Sequence, residues 1–511
     1  MQLVLTFDIG TQSTRAMLIN SKGDILCKAK KEHVKPYFSK NPGWAEQESD
    51  FYWKNLCEVS LKLKEKSAEL WDDIVAVTCT CIRDTCVCVD KDGNALRDVI
   101  LWLDKREAEG LKPLTAIEKL SFTAIGMLEA VKLQRKVSAC NWIKVNEPEI
   151  WAKTYKFLFL SGFFMYHLSG KFIDSTASLI GHIPFDCKTK KWMKKKNIKR
   201  CIFDIDDSKL CDLVDPGDLV GLITEKASEQ TGIKVGLPII ATGSDKGCGT
   251  LGLSCSKPEK AAISFGTTAT IQLTTNYYME PLPFIPAYPS VVKNSYNPEV
   301  QIYRGYWLIS WFKREFAAKE AEEAMQRGIK AEKLLDKRLK EIKPGCNGLV
   351  FQPYFTPGVV MPKARGAIIG FSDEHTRQHI YRAIIEGINF ALMDGLYTLQ
   401  RRAKIKVKYL YVAGGGSQSD EICQITANMF GLPVRRIQTY EASGLGSSMV
   451  AFVSKGVFKD IDEAIKEMVH IKDEFIPDMD EHAIYKKLFS EIFDKIFNKL
   501  FPLYKKSYEI K

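Results

Sequence analysis

Apolar and polar positions follow two different periods along this chain. Two short apolar runs open it, Leu3-Val4-Leu5 and Ala16-Met17-Leu18-Ile19, joined by a polar stretch with Asp8, Gly10, Thr11, Ser13, Thr14 and Arg15. That pattern predicts two strands and a tight polar turn. Ser21-Lys22-Gly23-Asp24 is a second turn, and residues 25–33 resume a strand. Residues 41–53 read as a loop entering a helix, with Ser49 or Asp50 as its N-cap and its end near residue 70. Strands follow at 74–80 and 86–90 with Arg83-Asp84 between them, and a short strand at 100–104. Residues 105–169 are mainly helical, and 239–242 is a buried strand.

The second half repeats the opening. Residues 261–274 hold an apolar strand, then Gly266-Thr267-Thr268, then another strand. A helix starts within 303–318, and 353–362 is an irregular loop. A long helix covers 374–400, with Ile380, Ile384, Ile388 and Ala391 at helical spacing. A strand at 409–412 runs into Gly414-Gly415-Gly416-Ser417 and a helix over 420–430. A Gly/Ser turn over 442–447 precedes another helix. Strands alternating with helices in both halves predict α/β layers.

Length and composition narrow the class. A chain of 511 residues is expected to form two or more domains. Hydrophobic residues at 45% and charged residues at 26% are ordinary for a globular chain. The net charge of +11 is modest, and its densest cluster, 188–200, has no aromatic platform. A solvated loop explains that cluster better than a nucleic-acid patch. The longest apolar stretch, 157–168, is interrupted by Ser161, Gly162 and His167 and is too short to cross a bilayer. The chain opens on a strand, so a cytoplasmic protein is expected, with its 14 cysteines as thiols. Cys79, Cys81, Cys86 and Cys88 are spaced by two within each pair, the period of a strand. Buried cysteines in two adjoining strands fit them better than a zinc site.

The polar turn carries candidate chemistry. Gly10 lets backbone approach a ligand, and Thr11, Ser13 and Thr14 supply donors without bulk, which suits a phosphate. Arg15 adds fixed positive charge, and Asp8 suits a metal ion and its waters. Alone, the stretch fits a charged surface hairpin equally well. Two such hairpins, one per half, could clamp one polyphosphate, a layout that resembles the actin, sugar-kinase and heat-shock ATPase superfamily. Asp245, in Gly243-Ser244-Asp245-Lys246-Gly247, is a loop carboxylate able to take a proton from an attacking hydroxyl, although a turn or capping role is the commoner one for a lone Asp. The glycine turn at 414–416 offers backbone to a flat adenine; a plain helix entry is the alternative.

In order along the chain, DIGTQSTR, GWAEQ, ILWLDKR, WIKVNEPE, GSDKG, SFGTTAT, the block 366–390 and AGGGSQ resemble the FGGY carbohydrate kinases, the family of glycerol kinase, xylulokinase and ribulokinase. The resemblance runs from Asp8 to about Val453. It implies two ribonuclease-H-like α/β domains around a nucleotide cleft. Residues 1–256 would carry the sugar site, the first phosphate loop and the catalytic Asp, and residues 257–511 the second phosphate loop and the adenosine site. It implies ATP and Mg²⁺, with Asp8 reaching the metal through water. By resemblance Asp245 is the catalytic base and also touches the acceptor. Gly10, Thr11, Gln12, Ser13 and Arg15 match the first phosphate loop, and Gly266, Thr267 and Thr268 the second. Gly305, Gly414, Gly415 and Ser419 match nucleotide-contacting positions, with Asn common in the family where Ser419 stands. Arg83 and Asp84 match the acceptor-binding Arg-Glu pair of glycerol kinase, with Gln134 beside them by position.

The implied reaction is transfer of the γ-phosphate of ATP to a hydroxyl of a small sugar or polyol, as a phosphotransferase with an alcohol acceptor. D-xylulose or a related pentulose is the first expected acceptor, and glycerol or a tetritol the next. Xylulokinases usually carry Met-His where this chain has Arg83-Asp84, which leaves the acceptor open. A non-catalytic sugar and ATP sensor on the same fold, or an actin-like filament protein, are the readings from other classes. Asp245 counts against the first, and Arg83-Asp84 against the second. The expected partner is a small molecule, not nucleic acid or membrane, and a homodimer is admitted.

Overall fold

The computed structural model describes residues 1–356, 361 and 363–510, so half of the loop expected over 353–362 lies outside the described residues. The chain forms two compact units. The first comprises Met1–Gly252, Tyr288–Ser295 and Glu441–Val469, and the second Leu253–Ala287, Tyr296–Tyr440 and His470–Lys511. Two later segments return to the first, and in the second of them the helix Ala442–Ser454 covers one face of its sheet.

The first unit is built on a six-stranded sheet. Strand β1 (Leu3–Ile9) is buried along its whole length and pairs antiparallel with β2 (Ser13–Asn20), which pairs antiparallel with β3 (Ile25–Glu32). On its other side β1 runs parallel to Ile74–Cys81, which runs parallel to Pro238–Ile240. The edge strand Leu219–Leu222 is antiparallel to the last. Full burial on both faces explains why β1 opens on the continuous apolar run Leu3-Val4-Leu5 rather than alternating from its start. Leu3, Leu5, Phe7, Val77, Phe164 and Ile239 share its core.

The second unit repeats the plan. Lys260–Phe265 and Ala269–Gln272 form a hairpin extended by Glu299–Ile302. Tyr409–Gly414 lies parallel to Lys260–Phe265, Val434–Ile437 lies parallel to Tyr409–Gly414, and Ile471–Phe475 closes the edge antiparallel. The helix Arg377–Ala403 crosses this sheet with Ile384, Ile388 and Leu392 fully buried, and starts three residues later than its sequence pattern places it.

Two local readings change. The cysteine pairs do not sit in adjoining strands of one sheet. Cys79 and Cys81 belong to Ile74–Cys81, whereas Cys86 and Cys88 belong to Cys86–Val89, in a separate four-stranded sheet with Glu46–Gln47, Val99–Ile100 and Lys156–Phe159. Arg83-Asp84 is the passage from one sheet to the other. The stretch 442–447 is not a turn but the first half of the helix Ala442–Ser454. Its glycines serve close packing. A Cβ on Gly446 would lie 1.9 Å from the Cys248 carbonyl oxygen, and one on Gly252 1.9 Å from that of Ala442. The helices Asp245–Gly252 and Ala442–Ser454 therefore touch backbone to backbone, which offsets the roughly 1 kcal/mol that each helical glycine costs.

Candidate active site

In the first unit, three parallel strands deliver their C-terminal ends to one mouth, where open α/β sheets bind ligands. Asp8 ends β1. Arg83 and Asp84 follow Ile74–Cys81, and Asp245 follows Pro238–Ile240. Cys81 bridges Ser244, one residue before Asp245. Asp245 is the first residue of the helix Asp245–Gly252 rather than a loop residue, and it is half-buried. Ser443 on the packed helix donates to its backbone carbonyl at 3.0 Å. A buried hydroxyl chain, Thr6 to Thr78 at 2.9 Å and Ser447 to Thr78 at 2.9 Å, ties the same helix to the strands.

Asp8 is buried, and Arg15 opposes it across the hairpin with Nη1 at 2.7 Å. The same nitrogen stands 3.3 Å from Glu441, which Lys28 also contacts at 2.7 Å. Burial pushes the Asp8 carboxyl up to about 6; Arg15 pulls against this, and the charges of Asp245 and Glu441 add to it. Glu441 has no signal in the linear sequence. It reaches this mouth only because Glu441–Val469 folds back into the first unit.

The turn of the hairpin is braced from outside. His33, just past β3, places Nδ1 2.9 Å from the Thr11 carbonyl oxygen and Nε2 2.9 Å from the Thr14 hydroxyl. Its backbone N–H donates to the Gln12 carbonyl at 2.8 Å. Trp102 donates from Nε1 to the Thr11 hydroxyl at 3.0 Å. Gln12 is exposed and Ser13 is buried. Trp102 stands in the ILWLDKR block, which flagged it; His33 carried no comparable signal.

Arg83 lies with its guanidinium 5.2 Å from the centre of the Tyr288 ring, a cation–π contact made by the returning segment Tyr288–Ser295. Asp84 has φ 52, a conformation that Asp tolerates better than most residues. Its carboxylate is held by His182. The backbone N–H of His182 donates to Oδ1 at 2.8 Å, and ring Nδ1 lies 2.7 Å from Oδ2. Gln134 sits on a separate helix, Leu128–Val137, and is half-buried.

The GWAEQ and ILWLDKR blocks meet in a buried ion cluster. Glu46 Oε1 takes Arg97 at 2.6 Å and Arg106 at 3.0 Å, and Arg106 also pairs with Asp104 at 2.8 Å. The Arg106 guanidinium lies 3.9 Å from the centre of the Trp44 ring. Asp104 accepts from the Ala45 N–H at 2.6 Å, which locks the two blocks together.

In the second unit, Thr267 is exposed at the hairpin tip and Thr268 donates to the Tyr303 carbonyl at 3.1 Å. Gly266 accepts from the Tyr306 N–H at 3.0 Å. A Cβ on Gly305 would stand 2.4 Å from that of Ala269, and one on Gly414 2.7 Å from the Phe265 carbonyl oxygen. Packing within the protein therefore accounts for glycine at both. Gly415 differs. It is exposed, and a Cβ there would meet nothing nearer than the Phe265 oxygen at 4.0 Å. Ser419 caps the helix Asp420–Phe430, its hydroxyl accepting from the Ile422 N–H at 3.3 Å.

These features fit a nucleotide and a magnesium ion. The open backbone at Gly415 can lie against a flat ring. Asp8, whose charge is disfavoured by burial and by two other carboxylates, is relieved by a nearby cation. Among the described residues, no three His, Cys, Asp or Glu side chains converge to ligate a metal by themselves. A magnesium ion held beside Asp8 would take the rest of its shell from water and phosphate oxygens. Among the same residues, no helix is long and apolar enough to cross a membrane.

Two repeated sheets, a polar hairpin on each, and a carboxylate at the mouth of the first define a two-domain phosphotransferase of the actin and hexokinase type. The family model for the N-terminal domain of the FGGY family of carbohydrate kinases matches residues 3–252, and that for the C-terminal domain matches 261–455. The chain belongs to the FGGY family of carbohydrate kinases, enzymes that use ATP to phosphorylate an alcohol group. It is 27% identical over 508 residues to the uncharacterized sugar kinase YgcE of Escherichia coli K12, covering 99% of this chain and 96% of that protein. It is 27% identical to the xylulose kinase of Bacillus subtilis strain 168, covering 96% and 95%. The crystal structure of ligand-bound xylulose kinase from Lactobacillus acidophilus has the same fold, with a TM-score of 0.82 at 22% identity, covering 99% of this chain and 100% of that one.

Proposed function

We propose that this chain is an ATP- and Mg²⁺-dependent kinase of a small ketose, with D-xylulose or a related pentulose as acceptor. The observation that carries this reading is the mouth of the first sheet. Asp245 opens its helix there within electrostatic reach of Asp8, and the adjoining strand leads to Arg83-Asp84. The relatives named xylulose kinase support the pentulose.

In this reading Asp245 takes the proton of the acceptor hydroxyl. Arg15 and the turn of residues 10–13 hold phosphate oxygens, as do Gly266, Thr267 and Thr268. Asp8 holds the waters of the metal. Gly305, Gly414, Gly415 and Ser419 form the adenosine side, with Gly415 giving the open surface. Arg83, Asp84 and Gln134 serve the acceptor. Magnesium, when bound, neutralises the transferring phosphate.

A second reading, a glycerol or tetritol kinase, is favoured by Arg83-Asp84, which matches the glycerol kinase pair. The test is ADP release with D-xylulose, D-ribulose, glycerol and erythritol. Turnover on a pentulose at least tenfold above the polyols is expected. The reverse order selects the second reading. Binding of sugar and ATP with no ADP release would instead make the chain a sensor.

A further inference from the structure

His33 grips the turn of the first hairpin at three points. Its backbone N–H donates to the Gln12 carbonyl at 2.8 Å, ring Nδ1 lies 2.9 Å from the Thr11 carbonyl oxygen, and ring Nε2 lies 2.9 Å from the Thr14 hydroxyl. A carbonyl oxygen can only accept, so Nδ1 carries the ring proton. Burial holds the His33 pKa below its ordinary value; the charges of Lys31 and Arg15 act the same way, and the Thr11 carbonyl acts against them. The neutral ring keeps Nε2 as an acceptor, and Thr14 donates to it. Thr14 is fully buried, so its hydroxyl serves this brace rather than a ligand.

The imidazole is itself fixed. His33 is buried, and the rings of Phe51 and Tyr52 meet it edge-on at 4.9 and 6.0 Å between centres. These are the first two residues of the helix Phe51–Lys66. The turn closes on itself by the Gly10 N–H, which donates to the Ser13 carbonyl at 2.9 Å. That bond leaves the carbonyls of Thr11 and Gln12, and His33 takes both. In a planar trans peptide the N–H points opposite to the C=O. With both carbonyls turned to His33, the N–H groups of Gln12 and Ser13 face away from it. Successive N–H groups offered in this way suit an anion.

We propose that His33 is a positioning residue for phosphoryl transfer, which holds the Thr11 and Gln12 carbonyls so that the N–H groups of the first phosphate loop are set to receive phosphate oxygens of ATP. It acts through the loop. The packed ring lets one side chain fix two peptide planes before ATP arrives, so less order has to be imposed on binding. The role rests on the reading of residues 10–13 as a phosphate loop.

The test uses the full-length enzyme with ATP, Mg²⁺ and whichever of D-xylulose, D-ribulose and glycerol turns over fastest. His33→Ala should raise KM for ATP roughly 5–100-fold, the size of two lost hydrogen bonds, with KM for the acceptor within about twofold. Inhibition by AMP, which lacks the β- and γ-phosphates, should stay near the wild-type value. His33→Asn places an amide N–H near the position of Nδ1 and should recover much of the ATP affinity. Thr14→Val removes one hydroxyl and should cost less than His33→Ala. A residue that only supports the fold would lower Tm without separating ATP from AMP and the acceptor, and that result overturns the proposal. Arg15→Ala tests the phosphate-loop reading by itself. If it raises KM for ATP while His33→Ala does not, the loop stands and the role given to His33 falls. If neither moves it, both fall. Where no probe is phosphorylated, the same comparison is made on Kd for ATP by calorimetry. Where His33→Ala fails to fold, His33→Phe keeps a ring against Phe51 and Tyr52 without either nitrogen. An unchanged KM for ATP in that variant overturns the proposal.

Discussion

Arg15 and Asp8 are directly opposed across the first hairpin, one residue pair below its turn, and Nη1 lies 2.7 Å from Oδ2. The same guanidinium reaches Glu441 at 3.3 Å, more than four hundred residues along the chain. One cation therefore serves two carboxylates that nothing local brings together. Arg15→Ala and Glu441→Ala should be non-additive in urea unfolding, with a coupling of roughly 0.5–3 kcal/mol. Effects that add within about 0.3 kcal/mol would show that the contact carries no coupling. In kinetics, Arg15→Ala should raise KM for ATP more than KM for the sugar, and Arg15→Lys should retain part of the affinity.

Asp245→Asn removes the proton acceptor but keeps the size of the side chain. A loss in kcat of ~10²–10⁴ is expected, with KM for ATP nearly unchanged. The carboxylate also sits at the first turn of its helix, where charge contributes roughly 0.3–1 kcal/mol, so a small drop in Tm accompanies the change. Asp8→Asn should instead shift the Mg²⁺ concentration needed for half-maximal rate. Near-normal turnover in Asp245→Asn would remove it as the base.

Arg106 is buried between Glu46 and Asp104 and against Trp44. Arg106→Met preserves length but removes the cation paired with Asp104 and one of the two arginines that meet Glu46. Unfolding should become easier by about 3–5 kcal/mol, the cost of breaking a buried pair from one side. A change under 1 kcal/mol in chemical denaturation would show that the cluster is not under that electrostatic demand.

Asp174 is buried, and burial raises its carboxyl to about 7 even though the Ser161 hydroxyl and the Ser175 N–H both donate to it. The folded protein therefore binds a proton there that the unfolded chain releases near pH 4. Its contribution to stability is fully present below that pH and is lost as pH rises toward 7, on the order of a few kcal/mol. Asp174→Asn should flatten this part of the stability profile, measured by urea unfolding between pH 4 and pH 8. An unchanged slope would assign it to other groups.

Gly446→Ala places a methyl where the Cys248 carbonyl oxygen stands 1.9 Å away. The helices must move apart, at a cost of typically 1–3 kcal/mol. Because Cys248 is on the Asp245 helix, kcat should fall with stability, while KM for ATP changes less. Loss of stability with kcat intact would show that the helix bearing Asp245 absorbs the shift.

The two hairpins were legible because their cause is local: an apolar run, a glycine, small hydroxyl residues, and another apolar run. The helix Asp420–Phe430 was legible for the same reason, with Ser419 as its cap. The stretch 442–447 was misread because glycine and serine are turn formers, whereas here the glycines answer to a carbonyl near residue 248. The strand period of Cys79, Cys81, Cys86 and Cys88 was visible, but not that the chain changes sheets between them. Of the site, the acids and the phosphate-loop residues carried motif signals. His33, His182, Tyr288 and Glu441 did not, since each acquires its role from a partner distant in sequence.

The return of Glu441–Val469 to the first unit sets an order of events during biosynthesis. When Gly252 leaves the ribosome, the hydroxyl chain through Ser447, the carboxylate of Glu441 and the helix that seats Asp245 do not yet exist. Translation needs roughly 10–40 s to supply them. Throughout that interval the nascent first unit exposes the face that Ala442–Ser454 will cover, and the carboxylate of Asp245 acquires its fixed position only after nearly the whole second unit has been made.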